Sequence, residues 1–129
     1  TYAGHPVCAA VAKRALELYD ERGALENVRT LAPKFAAHIK ALSAHPLVGH
    51  GRAIGLLGAL EMVADKSTRA AFSPPGSKGA QVMQAAVETG LIVRALGDTV
   101  ALCPPLIINE DELDDLFARL KQALDACLD

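Results

Sequence analysis

Leu91-Ile92-Val93-Arg94-Ala95-Leu96-Gly97-Asp98-Thr99-Val100-Ala101-Leu102-Cys103-Pro104-Pro105 is the stretch on which the fold turns. Two apolar runs flank Gly97-Asp98, which predicts a tight β-hairpin. Gly97 suits the first central position of a type II′ turn, where φ must be positive. One residue is out of character. Arg94 carries a guanidinium that keeps its proton, in a run that otherwise favours burial. Strand alternation puts it on the face shared with Ile92 and Leu96. An unpaired guanidinium in a core is strongly destabilising. Arg94 therefore lies at the rim of the sheet, is paired, or faces a cleft that receives a carboxylate through two hydrogen bonds. Asp98 is the nearest carboxylate in sequence, but an exposed pair within the hairpin contributes little.

Outward from the hairpin the chain alternates helices and strands. Downstream, Asn109 is the N-cap of a helix, with Glu112 completing a capping box and Asp111 complementing the helix dipole. Leu113, Leu116, Phe117, Leu120, Leu124 and Cys127 form its apolar stripe. Upstream, residues 79–88 make a helix carrying Val82, Met83, Ala86 and Val87, closed by Gly90. The segment 65–78, with Ser73-Pro74-Pro75-Gly76-Ser77, reads as a surface loop. Residues 47–54 and 56–63 read as two strands joined near Gly55. Their glycines at 49, 51, 55 and 58 point to bulges or close backbone approaches.

Before them, Leu25, Val28, Ala32, Phe35, Ile39 and Leu42 repeat at helical spacing. Pro33 interrupts this pattern without shifting its phase, so it should kink the helix rather than end it. His45-Pro46 ends it. The first helix begins at Pro6, with Val7, Val11, Ala15 and Leu18 on one face, and Gly23 closes it. Two hairpins separated by a helix imply an α+β fold: a small antiparallel sheet with helices packed on it.

The 129 residues suit one domain. At 51% hydrophobic and 22% charged the composition is that of a globular protein, and 4% aromatics means a core of Ala, Leu, Val and Ile. A net charge of −2 offers no electrostatic reason to expect a nucleic acid partner. No apolar run approaches the ~20 residues of a membrane span, and no export signal is visible, so a cytoplasmic setting is expected. Cys8, Cys103 and Cys127 are far apart and read as buried free thiols.

No complete catalytic set or metal-binding spacing is present. His38 reads as a helix-edge residue and His45 as a cap on helix-end carbonyls. Thr1 precedes a helix N-terminus, where free N–H groups favour an anion such as phosphate, unless it is simply an exposed terminus.

Thr1-Tyr2-Ala3-Gly4-His5-Pro6-Val7-Cys8 resembles the Thr-Tyr-Ser-Gly-His-Pro segment of class III aminotransferases, the pyridoxal-phosphate enzymes of fold type I. Arg52-Ala53-Ile54-Gly55-Leu56-Leu57-Gly58-Ala59-Leu60-Glu61, Gly90 to Arg94, Gly97-Asp98-Thr99 and Pro104-Pro105-Leu106 continue it in order. Ala3, in place of Ser, is a small departure. The resemblance implies the C-terminal part of such an enzyme: residues 1–45 a helical connection from the large domain, 46–129 the small α+β domain. The Gly-His-Pro form is similar to the amine or ω-amino-acid:pyruvate subgroup, which passes an amino group from an amine or ω-amino acid to a keto acid such as pyruvate.

By the same resemblance, Thr1 binds the phosphate of pyridoxal 5′-phosphate across a homodimer interface. Arg94 becomes the mobile arginine that receives a substrate carboxylate. The Schiff-base lysine lies upstream, and Lys13, Lys34, Lys40, Lys66, Lys78 and Lys121 match no such position. No catalytic residue is therefore expected within these residues, and alone they should not transaminate. The chain opens directly in a motif, as a piece of a longer polypeptide does. Separated from its large domain, it should expose the open side of the sheet and its first helix as apolar patches prone to self-association. The competing reading is a stand-alone α+β module that holds a carboxylate at Arg94 or serves only in dimerisation.

Overall fold

The computed structural model describes residues 3–128. Pro6 opens α1 (Pro6–Glu21) at a position where the missing N–H costs nothing. After Gly23 come α2 (Ala24–Leu42), the hairpin of β1 (Val48–Ile54) and β2 (Leu57–Met62), and α3 (Ser77–Glu88). The second hairpin, β3 (Arg94–Leu96) and β4 (Thr99–Leu102), leads to α4 (Glu110–Asp125). The element order is the one read from the sequence, and the architecture is α+β. One antiparallel four-stranded sheet runs in the order β1-β2-β4-β3. Helices α2 and α3 pack on its inner face, and α4 packs on both of them.

Strand alternation explains how the core closes. Along β2, Gly58, Leu60 and Met62 point inward and Leu57, Ala59 and Glu61 do not. Leu60, Val48 and Val100 from the sheet meet Phe35, Val82, Leu113, Leu120 and Leu124 from the helices, all fully buried. The scarce aromatics stand at the centre, with the Phe35 and Phe117 rings edge to face at 5.2 Å. The strand glycines are both bulges and close approaches, as the sequence suggested. The β1–β2 register slips beside Gly49. A Cβ at Gly58 would lie 2.7 Å from the Phe35 ring, and one at Gly51 would run into the Ser43 hydroxyl. Only bare backbone lets α2 lie this near the sheet.

The capping box of α4 forms as expected: the Glu112 N–H donates to Asn109 Oδ1 and the Asn109 N–H to Glu112 Oε2, both at 2.9 Å. Helix α2 continues through Pro33. Its buried stripe, however, is Ala24, Leu31, Phe35, Ile39 and Leu42, and Leu25 is 59% exposed. The expected and observed stripes share Phe35, Ile39 and Leu42 and part at the N-terminal half of the helix, where Val28 is only partly buried. Asn27, which lies beside Ala24 and Leu31 on the helix, decides the rotation by donating to the Leu106 and Ile108 carbonyls at 2.8 and 2.9 Å.

Other expectations need correction. Helix α3 begins at Ser77, so Lys78 belongs to it and is buried. Val82 and Ala86 face inward, whereas Met83 and Val87 are exposed. The first apolar run of the second hairpin is a strand only over Arg94–Leu96, with Ile92 91% exposed before it. Cys8 and Cys103 are exposed, and only Cys127 is buried, its thiol pushed up by that burial.

Helix α1 buries no residue, leaving Val7, Val11, Leu16 and Tyr19 exposed. The outer side of the sheet carries Ile54, Leu57 and Leu96, also exposed. These are the two apolar surfaces expected of the sequence. Among the described residues no helix is long and apolar enough to cross a membrane.

Candidate functional site

Strand order determines where Arg94 goes. Because β4 pairs with β2, the three-residue β3 is an edge strand. Of the alternatives the sequence left open, the rim of the sheet is the one realised. Directly paired residues share a face. Arg52 pairs with Ala59, Ala59 with Ala101, and Ala101 with Arg94, so one row across the outer face has an arginine at each end and alanines between. The adjacent row is His50, Glu61, Thr99 and Leu96. Three strand spacings separate the arginine backbones, about 14 Å.

The two arginines differ electrostatically. Arg52 Nη1 lies 2.9 Å from Glu61 Oε1, and His50 Nδ1 is 3.7 Å from the other carboxylate oxygen. The Arg94 side chain is exposed and makes no hydrogen bond or ion pair to the described residues. Beside it an open groove of about 450 Å³ runs along Ile92, Cys103, Pro104 and Pro105. A second, of about 330 Å³, lies over Arg52, Ile54, Leu57 and Ala59, and Ala101 borders both. The walls are apolar and the free cation stands at the edge. This arrangement can take a carboxylate attached to a small organic group.

Asp98 does not turn toward Arg94. Gly97 adopts φ +60°, as the II′ turn requires, and the next carboxylate reaches the N-terminus of α3. Asp98 Oδ2 accepts from the Gly76 N–H at 2.7 Å, and Oδ1 accepts from the Lys78 and Gly79 N–H groups, both at 3.0 Å. Helix α3 has glycine at its own N-cap and no side-chain cap there, so the hairpin supplies the missing acceptor. The contact is tight enough that a Cβ at Gly79 would run into the Gly97 carbonyl oxygen. Sequence reasoning missed this role. The available signals were Gly76 where a capping side chain belongs and Gly79 in the first turn.

Thr1, the residue read as a phosphate ligand, lies outside the described residues. The helix it precedes is described. At the N-terminus of α1, His5 contributes no side-chain cap and the first turn holds no acidic residue. Its leading N–H groups therefore remain open to an anion. The main contact of α1 is with α2, whereas β3 lies against β4 and α3, so these two candidate sites are built from different parts of the fold.

The remaining titratable clusters are structural. His38 stacks on Phe117 at 4.5 Å and bonds Asp114 at 2.9 Å, a helix-edge residue as read. His45 is buried and does not cap carbonyls through its ring. Nδ1 accepts the Leu47 N–H at 3.2 Å, which leaves Nε2 to donate to Asp125 at 3.2 Å. Lys121 first, and His45 after it, hold the Asp125 carboxyl below the usual range. Lys78 reaches the Cys127 carbonyl at 2.9 Å and lies over the Phe72 ring. Among the described residues no three His, Cys, Asp or Glu side chains gather as a metal site.

The sequence profile of the family "Aminotransferase class-III" matches residues 1–124. Gamma aminobutyrate transaminase 1, mitochondrial, of Solanum lycopersicum is 39% identical over 96% of this chain and 24% of its own length. Putrescine–pyruvate aminotransferase of Pseudomonas aeruginosa is 39% identical over 97% of this chain and 27% of its own. Among solved structures, a PLP-bound aminotransferase mutant from Vibrio fluvialis superposes with a TM-score of 0.90 at 38% identity, covering 95% of this chain and 27% of that one. A thermostable omega transaminase from Pseudomonas jessenii gives 0.90 at 37%, with the same two shares. The chain thus spans about a quarter of the length of these relatives. With the profile running through nearly the whole sequence and the fold matching at this level, the chain belongs to the class III aminotransferase family.

Proposed function

We propose that this chain is the C-terminal part of a longer pyridoxal-phosphate-dependent transaminase. The full enzyme moves an amino group from an amine or ω-amino acid to a keto acid such as pyruvate. Residues 46–129 form its small domain and residues 1–45 the helical connection to the large one. It works as a homodimer in the cytoplasm, a compartment that suits its unpaired thiols.

The observation that carries this reading is Arg94: an exposed guanidinium on an edge strand, without a counter-ion among the described residues, beside an apolar groove. Its planar fork accepts a carboxylate through two parallel hydrogen bonds and so orients the rest of the substrate. For a donor without a carboxylate, the same side chain rests in water at the rim. The substrates for which the two relatives are named, an ω-amino acid and a diamine, span these two cases.

Pyridoxal phosphate, when bound, supplies the electron sink for moving the amino group. The uncapped, acid-free N-terminus of α1 suits its phosphate. Thr1 and the first N–H groups of α1 would hold that phosphate for the neighbouring subunit. No lysine of this chain takes the covalent role. These residues position the cofactor and the substrate, and alone they do not transaminate.

The test is Arg94→Ala in the full-length polypeptide, read in the donor half-reaction by the cofactor's absorbance with no keto acid present. The rate constant for an amino acid donor should fall on the order of 100-fold, because a charge-paired contact is lost. That for a simple alkylamine should change by less than about threefold. Equal losses for both donors, or no loss for either, refute the reading.

A further inference from the structure

We infer that Asp98 is a positioning residue for Arg94: by clamping the hairpin turn onto the N-terminus of α3, it holds the arginine where a substrate carboxylate can reach it. The inference rests on the carboxylate-binding reading of Arg94 and adds a second residue to it.

The argument begins with how weakly β3 is held. It is three residues long, pairs only with β4, and has no strand on its outer side. Such an edge strand is easily displaced. Both ends of the segment that carries Arg94 are nevertheless tied to the same helix. At the near end, the Leu91 N–H donates to the Ala86 carbonyl in the last turn of α3, at 2.8 Å. At the far end, Asp98 accepts three backbone N–H groups from the first turn of α3 and the residue before it.

Helix α3 has 12 residues, a rod of about 18 Å. The strand is laid back along that rod and fixed at both tips, with Arg94 near the middle. The Asp98 backbone joins in as well, because its carbonyl accepts the Met62 N–H at 2.8 Å and ties the turn to β2. One residue thus links the hairpin to a helix through its side chain and to the neighbouring strand through its backbone.

Removing the carboxylate unties that end of the segment from α3, leaving its backbone bond to β2, without touching the substrate. The N-terminus of α3 loses the two carboxylate oxygens that accept its Gly76, Lys78 and Gly79 N–H groups, and the turn can lift. The consequence falls on whatever β3 presents, which is Arg94. Small displacements of a positioning group are costly when geometry matters to the reaction.

The experiment uses the full-length polypeptide and the donor half-reaction. Rate constants are compared for an amino acid donor and a simple alkylamine, in four proteins: unaltered, Asp98→Ala, Arg94→Ala, and the double variant. Asp98→Ala should lower the amino acid to alkylamine ratio by about tenfold. In the Arg94→Ala background it should leave the ratio unmoved, since no arginine remains to position. Asp98→Asn keeps one oxygen for the Lys78 and Gly79 N–H groups and should fall between Ala and the unaltered protein. It also carries the test if the Ala variant does not fold.

An equal loss for both donors would make Asp98 merely structural and overturn the inference. So would a tenfold loss that persists without Arg94. If Arg94→Ala alone leaves the ratio unaltered, the carboxylate reading itself fails. If that variant lowers the ratio and the Asp98 variants do not, only the inference does.

Discussion

Gly79→Ala sets two physical effects against each other, and the structure decides the sign. Gly79 is the third residue of α3, and in an isolated helix alanine there is favoured by about 1 kcal/mol. Here the added Cβ would run into the Gly97 carbonyl oxygen, a backbone atom of the opposing turn with no rotamer to relieve the contact. Overpacking of this kind costs about 1–3 kcal/mol. Lifting the turn instead weakens the three hydrogen bonds to Asp98, a cap whose loss costs about 1 kcal/mol or more. The net expectation is destabilisation by about 1 kcal/mol, or a Tm lowered by about 4 °C for a chain of this size. Thermal unfolding followed by circular dichroism measures it. Hydrogen exchange at the Gly76, Lys78 and Gly79 amides should quicken in step. A Tm that stays level or rises, as helix propensity alone would have it, refutes the claim that the hairpin turn and α3 are locked together.

Two further outcomes test other joints of the fold. Asn109→Ala removes the side-chain half of the α4 capping box and should cost about 1 kcal/mol, seen as a lower urea midpoint with an unchanged slope. Asp114 is held below its ordinary value of 3.8, chiefly by its hydrogen bond to Lys34 and then by His38. A depressed carboxylate contributes stability that is complete above its unfolded pKa and disappears as pH falls through the lower, folded value. The advantage of the unaltered chain over Asp114→Asn should therefore be present at pH 7 and shrink below about pH 4. An advantage that grows on acidification would contradict the ion pairing between α2 and α4.

What the sequence determined by itself is whatever depends on neighbours a few residues apart. The capping box at Asn109 and Glu112, Pro6 at a helix start, the survival of α2 through Pro33 and the Gly97 turn all follow from contacts within one turn of helix or one hairpin. The demand of Arg94 for an anion is legible in the same way, since it needs only a charge set in an apolar run. The rotations of α2 and α3 were less legible, because a helical stripe shifted by one residue is nearly as apolar. Asn27 settles one of them, and the approach of Gly79 to the Gly97 turn settles the other, both through partners distant in sequence.

Only the tertiary structure decided that β2 pairs with β4, which leaves β3 at the edge and Arg94 at the rim. Only it decided that Asp98 is spent on α3 rather than on the arginine beside it. Both depend on which distant backbone groups lack a partner when the chain closes. That is a property of the assembled fold, and no local run of residues encodes it.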